Sequence, residues 1–229
     1  MQQLEQIAKT RSNSEFDLPE KNPESYFVWL AKDHLNSKHI LDIGCNYGNF
    51  LLNCSPNAVG IDLRNEPLRQ CSNLVIQASG IDLPFKDSYF EVVFLWDVIE
   101  HVPIGKEVEL LKEINRVLTT NGVLMLSTPS NNLLSILFDP AYFLRRHRHY
   151  SENEVRTMLK QSSFQLVSMT TKGDMWDIFR INLLYFRKWI LRKNRLDSLQ
   201  KRFNDKCNLN ARSDKTGNQE IYAVVVKSK

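Results

Sequence analysis

The chain has 229 residues, of which 42% are hydrophobic and 24% charged, a balance that excludes a disordered chain and allows one sizeable α/β core. No run reaches the roughly 18 apolar residues of a membrane span, and the first residues lack the apolar centre of a secretory signal, so a cytoplasmic protein is expected. The net charge of +4 is unevenly spread: residues 180–202 carry eight Lys and Arg against the single acid Asp197, which leaves the rest of the chain net negative.

Residues 1–22 read as a polar lead-in and 23–229 as one domain. ESYFVWLAKDHLN (24–36) has apolar residues at helical spacing. HILDIG (39–44) reads as a buried strand, followed by a turn and a short helix at 49–54. AVGIDL (58–63), NLVIQAS (73–79) and FEVVFLWD (90–97) are three further strands. Residues 105–118 carry a helical apolar stripe that Asn121-Gly122 ends, and VLMLSTP (123–129) is the fifth strand. Ser151 and Glu154 form a capping box at the start of a helix over 151–161. FQLVSMTTKG (164–173) and EIYAVVVKSK (220–229) are the last two strands, with a helical insertion or lid over 174–215 between them. Continuous apolar strands alternating with helices predict an α/β doubly wound, mostly parallel seven-stranded sheet, with antiparallel pairing where the final strands lack a crossover of usual size.

Cys45, Cys54, Cys71 and Cys207 show no metal-binding spacing, and nothing points to an oxidising compartment. No metal site is expected, because His147 and His149, one residue apart, lack a third ligand of known proximity.

The informative segment is ILDIGCNYGNF (40–50), where a strand ends at Asp42 and Gly44 and Gly48 punctuate the turn into a helix. Glycine allows positive φ and close approach of a ligand to the backbone. A dinucleotide loop needs G-x-G-x-x-G, but Asn46 and Asn49 stand at its second and third glycine positions, and no G-K-[ST] follows for a P-loop. Asp62 closes the second strand and can accept hydrogen bonds from both hydroxyls of a ribose.

The segment Asp42-Ile43-Gly44-Cys45-Asn46-Tyr47-Gly48 resembles the first motif of class I S-adenosylmethionine-dependent methyltransferases, in the group related to quinone-biosynthesis enzymes. The resemblance continues through LPF before an F-[DE]-V-V strand (83–93), LWDVIEHV (95–102), the Arg116-to-Gly122 turn and RHYSENEVRTMLKQSSFQLV (148–167). It implies S-adenosyl-L-methionine as cofactor. It assigns cofactor contact to Asp42, Gly44, Cys45, Asn46, Gly48, Asp62 and Leu63, and to Ser79, Gly80, Ile81, Trp96 and Asp97 further on. Ser79 departs from the Asp many members carry for the adenine amino group; a hydroxyl accepts that bond more weakly. Gly80 and Ile81 would lie against the adenine, Trp96 would wall the pocket, and Asp97 would face the methionine amino group or line the mouth. Cys45 also reads as a small buried side chain, and Glu100 as a helix-start residue.

Methyl transfer from a sulfonium is an in-line displacement that needs a base only for a hydroxyl or a protonated amine. His101 is the first candidate base, against a packing role. His149 is the second, with Arg145, Arg146 and Arg148 as a candidate anion clamp, against a solvated loop. The expected acceptor is an oxygen or nitrogen of a small molecule, sugar or lipid-linked compound. The alternatives are a membrane-resident quinone-type or polyprenyl acceptor and a silent cofactor-binding subunit. The amphipathic basic segment 177–203 fits a lid or dimer interface, peripheral docking on an anionic membrane, or nucleic-acid contact, the last disfavoured by the net-negative body.

Overall fold

A computed structural model of the chain describes residues 25–65, 71, 73–137, 139, 142, 147–174, 177–179, 182–183, 198–213 and 215–228. The polar lead-in, Arg145, Arg146 and most of the basic segment lie outside the described residues.

In chain order the elements are α1 (Tyr26–Leu30), β1 (Ile40–Ile43), a 3-10 turn (Leu51–Asn53), β2 (Val59–Asp62), β3 (Leu74–Gln77) and β4 (Phe90–Trp96). A second 3-10 turn (Ile99–His101) follows, then α2 (Glu107–Val117), β5 (Leu118–Pro129), α3 (Leu133–Leu137), α4 (Glu152–Gln161), β6 (Phe164–Lys172), α5 (Ser198–Ala211) and β7 (Glu220–Lys227). The seven strands form one sheet in the order β3-β2-β1-β4-β5-β7-β6. β1 to β5 pair in parallel, and β7 runs antiparallel to both β5 and β6. The order reverses between β1 and β4, so the crevice beyond their carboxyl ends is where an open α/β sheet takes a ligand.

The strands read as continuous apolar runs because both faces are covered. On β1 and β4, Leu41, Ile43, Val93 and Leu95 enter one core cluster, while Ile40, Val92 and Phe94 enter the other. The first cluster is closed by Leu110, Leu111 and Ile114 of α2 and by Val155 and Leu159 of α4, all buried. Removing one such leucine side chain costs about 2–5 kcal/mol, since a close-packed neighbourhood collapses only in part. α4 begins as expected: Ser151 Oγ accepts from the Glu154 N–H, and Glu154 returns a bond to the Ser151 N–H.

Three expectations need correction. The helix over 24–36 is helical only at Tyr26–Leu30; beyond it the chain makes three-residue turns, as in His34 N–H to Ala31 O at 2.8 Å and Ser37 N–H to His34 O at 3.1 Å. The helix at 49–54 is a single 3-10 turn, where the Asn53 amide bonds the Asn49 and Phe50 carbonyls and competes with a regular ladder. The fifth strand starts at Leu118 instead of Val123, directly after α2. Its pairing with β4 slips between Phe90 and Val92, and Asn121 takes φ 65° there.

Two motif fragments far apart in sequence touch. The Arg116 guanidinium on α2 donates to the Leu83 and Phe85 carbonyls at 3.0 and 2.8 Å, to Asp87 at 2.7 Å and to Glu113 at 2.9 Å. Glu113 in turn accepts the Leu83 N–H at 3.1 Å. Arg116 therefore ties the loop that follows Ser79-Gly80-Ile81 to the helix behind it.

Candidate active site

The β1 loop is closed by its backbone. The N–H groups of Gly44 and Cys45 both donate to the Ile61 carbonyl, at 2.8 and 2.9 Å. Gly44 and Gly48 take φ 75° and 78°, where other residues are strained. Packing bars a side chain as well. A Cβ on Gly44 would lie 2.4 Å from Val98 Cγ2, and one on Gly48 2.8 Å from Cys71 Sγ. The lack of side chains at these two positions thus serves protein packing.

Asp62, nearly buried, links two loops. Its Oδ2 accepts the Asn46 N–H at 3.0 Å and its Oδ1 the Arg64 N–H at 2.9 Å. Each carboxylate oxygen keeps a lone pair for a ribose hydroxyl. Leu63 beside it is 68% exposed, an apolar surface next to that carboxylate. Asp42 is buried, and its carboxyl is pushed up to about 8, by burial first and then by the charge of Asp62. Cys45 is buried and its thiol is pushed well up, mainly by burial, so its expected role as a small packed side chain suits the site.

In the loop after β3, Ser79 pairs with Asp82 in an isolated bridge, and its Oγ accepts the Ile81 N–H at 3.4 Å. A Cβ on Gly80 would meet Leu110 Cδ1 at 2.7 Å, so this glycine lets the loop sit on α2. Ile81 packs on the core.

Beyond β4, Trp96 stacks on Phe27 at 4.9 Å and on Phe94 at 5.6 Å. Its Nε1 is buried with no hydrogen-bond partner among the described residues. This orphaned donor, the side-chain-free glycine loop and the Asp62 acceptor fit a nucleoside carrying an amino-acid tail. Asp97 follows with φ 53°, held by its N–H to Ser127 and by the Ser127 hydroxyl donating to Oδ1 at 2.6 Å.

Asp97 lines a cavity of about 280 Å³ together with Tyr26, Asn204, Asn208, Glu220 and Tyr222. Glu220 is hydrogen-bonded to Asp97, and burial followed by the Asp97 charge raises its carboxyl well above the usual range. One Glu220 oxygen and Asn204 Oδ1 are buried acceptors with no partner among the described residues. Tyr26 is pushed up to about 12 by burial and then by Glu220, and it meets Tyr222 edge-on at 4.8 Å. The Tyr26 N–H bonds Asn208 Oδ1 at 3.2 Å, joining α1 to α5 over the cavity. Sequence reasoning missed Tyr26, Asn204, Glu220 and Tyr222: no motif spacing links residues so far apart.

His101 stands at the end of the 3-10 turn with its side chain 58% exposed and its ring 4.7 Å from that of His147. His149 is different. Its side chain is 2% exposed; Nδ1 faces the Ser130 carbonyl at 2.8 Å and Nε2 faces Asp139 at 3.0 Å. Both nitrogens are engaged within the protein, whereas the His101 side chain is more than half exposed. His147 lies between Asp139, 2.8 Å from Nδ1, and Glu100, 3.5 Å from Nε2. Burial pulls His147 down, but the two carboxylates outweigh it and raise it to about 9. Glu100 stands in the first turn of that 3-10 helix, as expected, and is also a buried partner of Thr128 and the histidines. Arg148 also corrects its expectation as an anion clamp. It donates to the carbonyls of Ile99, Glu100 and Val102 and to Glu107, and so pins the 147–150 segment onto the turn after β4.

Among the described residues, no helix is long and apolar enough to cross a membrane. In the basic segment, Ile178 is buried and Phe179 exposed.

Residues 20–169 match the family described as methyltransferase domain. A Mycobacterium tuberculosis protein named "Probable S-adenosylmethionine-dependent methyltransferase" is 27% identical over 141 residues, covering 58% of this chain and 51% of that protein. The ubiquinone biosynthesis O-methyltransferase of Paraburkholderia phymatum is 31% identical over 143 residues, covering 55% and 60%. The chain thus spans about half the length of the curated relatives it matches. In fold it is similar to the crystal structure of a SAM-dependent methyltransferase from Archaeoglobus fulgidus, with TM-score 0.61 and 17% identity over 88% of this chain and 91% of that one. With the glycine loop, the buried Asp62 carboxylate and this family match in place, the chain belongs to the methyltransferase domain family, within the class I S-adenosylmethionine-dependent methyltransferases.

Proposed function

We propose that the protein transfers the methyl group of S-adenosylmethionine to an oxygen or nitrogen of a small-molecule, sugar or lipid-linked acceptor held in the cavity between β4, β7, α1 and α5. The observation that carries this reading is the cavity itself. It opens beside Asp97 at the end of β4 and presents buried acceptor atoms of Glu220 and Asn204 that call for a donor-bearing ligand.

The donor brings its own activation, a sulfonium carbon open to in-line displacement. The chain's part is to hold the ribose on Asp62, seat the adenine at 79–81 and Leu63, exclude water with Trp96 and Phe27, and align the acceptor. Asp97 and Glu220 stand side by side in the cavity, and burial followed by the Asp97 charge holds the Glu220 carboxyl well above the usual range, so the pair can take a proton from a hydroxyl or ammonium as the new bond forms. His101 is the exposed alternative for that proton. The O-methyltransferase name of one relative supports a hydroxyl acceptor.

Calorimetric titration of S-adenosylmethionine and S-adenosylhomocysteine tests the cofactor half of this reading; micromolar binding is expected, and no binding overturns it. Release of S-adenosylhomocysteine in the presence of candidate alcohols and amines tests the acceptor half. Cofactor binding without turnover on any acceptor would fit the silent-subunit alternative instead. The basic segment and exposed Phe179 favour a membrane-resident acceptor as second reading. Flotation with anionic liposomes tests it, and absence of lipid binding overturns it.

A further inference from the structure

The cavity between α1, β4, α5 and β7 is acidic. Asp97, Asp177 and Glu220 bring three carboxyl groups to it, and no lysine, arginine or histidine is among the described residues that line it. Lys172 stands opposite Glu220 in the β6–β7 register, but its ammonium donates to the Ser213 and Lys215 carbonyls at 2.6 and 2.9 Å. Glu220 Oε1 and Asn204 Oδ1 are buried acceptors with no hydrogen-bond partner among the described residues. Neighbouring carboxyl groups and bare acceptors in a buried site are costly unless a positive charge or a donor stands between them.

Burial and then the Asp97 charge hold the Glu220 carboxyl well above the usual range, against the weaker downward pull of the Tyr222 and Ser127 hydroxyls. In the free protein a proton meets that demand with a single donor. An ammonium meets it with charge and up to three donors. Three acceptors from three parts of the chain share the cavity to receive them: Asp97 just after β4, Glu220 on β7 and Asn204 on α5. Much of the remaining wall is aromatic. Tyr26 meets Tyr222 edge-on at 4.8 Å with ring planes 86° apart, and Phe27 lies 6.0 Å from Tyr222, tilted by 50°. All three rings line the cavity. Rings at steep angles beside carboxyl groups attract an alkylated cation through their faces while the carboxyl groups take its N–H donors.

We propose that this cavity selects an acceptor that carries an alkylammonium group, a primary or methylated amine, held by Asp97, Glu220 and Asn204 with its alkyl part against Tyr26, Phe27 and Tyr222. A volume of about 280 Å³ lies at the low end of small-molecule sites, so the recognised portion is compact. An anionic acceptor, such as a carboxylate or a phosphate ester, meets three carboxyl groups with no counter-charge among the described lining residues and is rejected. Recognition of the ammonium is compatible with methyl transfer to that nitrogen or to an oxygen elsewhere on the same molecule. The selectivity narrows the acceptor class of the proposed function and rests on that reading.

The test uses the full chain and three probes of matched shape and different charge: butylammonium, 1-butanol and butyrate. Saturation-transfer NMR reads the affinity of each, with and without S-adenosylhomocysteine. Butylammonium is expected to bind with a Kd on the order of 1 mM and at least about tenfold more tightly than either of the others, the worth of one charge-assisted bond. Glu220→Gln and Asp97→Asn should each remove most of that preference, whereas Asp33→Asn, at an exposed acid elsewhere, should leave it unchanged. Asparagine suits the φ of 53° at position 97. Circular dichroism checks that the variants fold, and either one keeps the test decisive if the other does not. Binding of 1-butanol or butyrate as tight as that of butylammonium, no saturable binding of butylammonium, or a preference unchanged in both variants overturns the proposal. S-adenosylhomocysteine titrated alone separates the two readings. Cofactor binding with turnover on uncharged alcohols and no amine preference sinks only this inference, whereas absence of cofactor binding sinks the methyltransferase reading and the amine's place as acceptor with it.

Discussion

At the scale of single residues, Asp62 does two jobs with one carboxylate. It joins the loops after β1 and β2 through the Asn46 and Arg64 N–H groups and offers its remaining lone pairs outward. Asp62→Asn keeps the shape but loses the charge and one acceptor. Its affinity for S-adenosylmethionine should fall roughly 10–100-fold, the worth of one charge-assisted bond; calorimetry checks this, and an unchanged Kd refutes the ribose assignment. Asp42 makes a second prediction. Its carboxyl is raised to about 8 by burial and then by Asp62, so below that pH the free protein holds a proton there. A cationic cofactor nearby favours the ionised form, so binding should release a proton and tighten as pH rises from 6 toward 8. Calorimetry at pH 7 in buffers of different ionisation enthalpy reads that proton, and Asp42→Asn should abolish it.

At the scale of elements, the motif fragments in the sequence are structural joints as much as contacts. Arg116 holds the 83–87 loop on α2 through two carbonyls and two carboxylates. Glu113 is held below the usual carboxylate range, first by its hydrogen bond to Arg116. A carboxyl with a lowered folded pKa stabilises above its unfolded pKa and loses that contribution as pH falls through the folded value. Arg116→Met should therefore cost about 2 kcal/mol near neutrality and less in acid, read by urea melts at both pH values. Ser151→Ala removes half of the capping box and should cost about 1 kcal/mol at any pH above the Glu154 titration, a smaller loss on the same melts. Both motifs were legible in the sequence because cap and turn chemistry is local. The short helices at 24–36 and 49–54 were overread, because apolar spacing does not report where turns and the Asn53 amide outcompete the ladder.

At the scale of the whole molecule, α1, β4, α5 and β7 enclose one cavity whose walls come from both ends of the chain. Its buried Glu220 has a folded pKa raised by burial and by Asp97. The folded state therefore binds the extra proton, and stability is lost as pH rises above the unfolded carboxylate value. Glu220→Gln should relieve that loss, raising Tm in alkaline buffer by roughly 2–4 °C for each kcal/mol relieved and changing it little at pH 5. A Tm difference independent of pH would show that Glu220 carries no such proton.

The class of fold, the family and its cofactor were legible in the sequence. Strand hydrophobicity, glycine placement and caps are local signals, and the cofactor contacts assigned by resemblance sit within about 60 residues of each other. The cavity and the cluster of Glu100, Asp139, His147 and His149 were decided only by the tertiary structure. Antiparallel insertion of β7 between β5 and β6 carries Glu220 to Asp97, and Arg148 draws the 147–149 segment onto the turn after β4. His147 and His149 looked like an incomplete pair because Glu100 and Asp139 become their neighbours only when the 147–149 segment lies on the turn after β4.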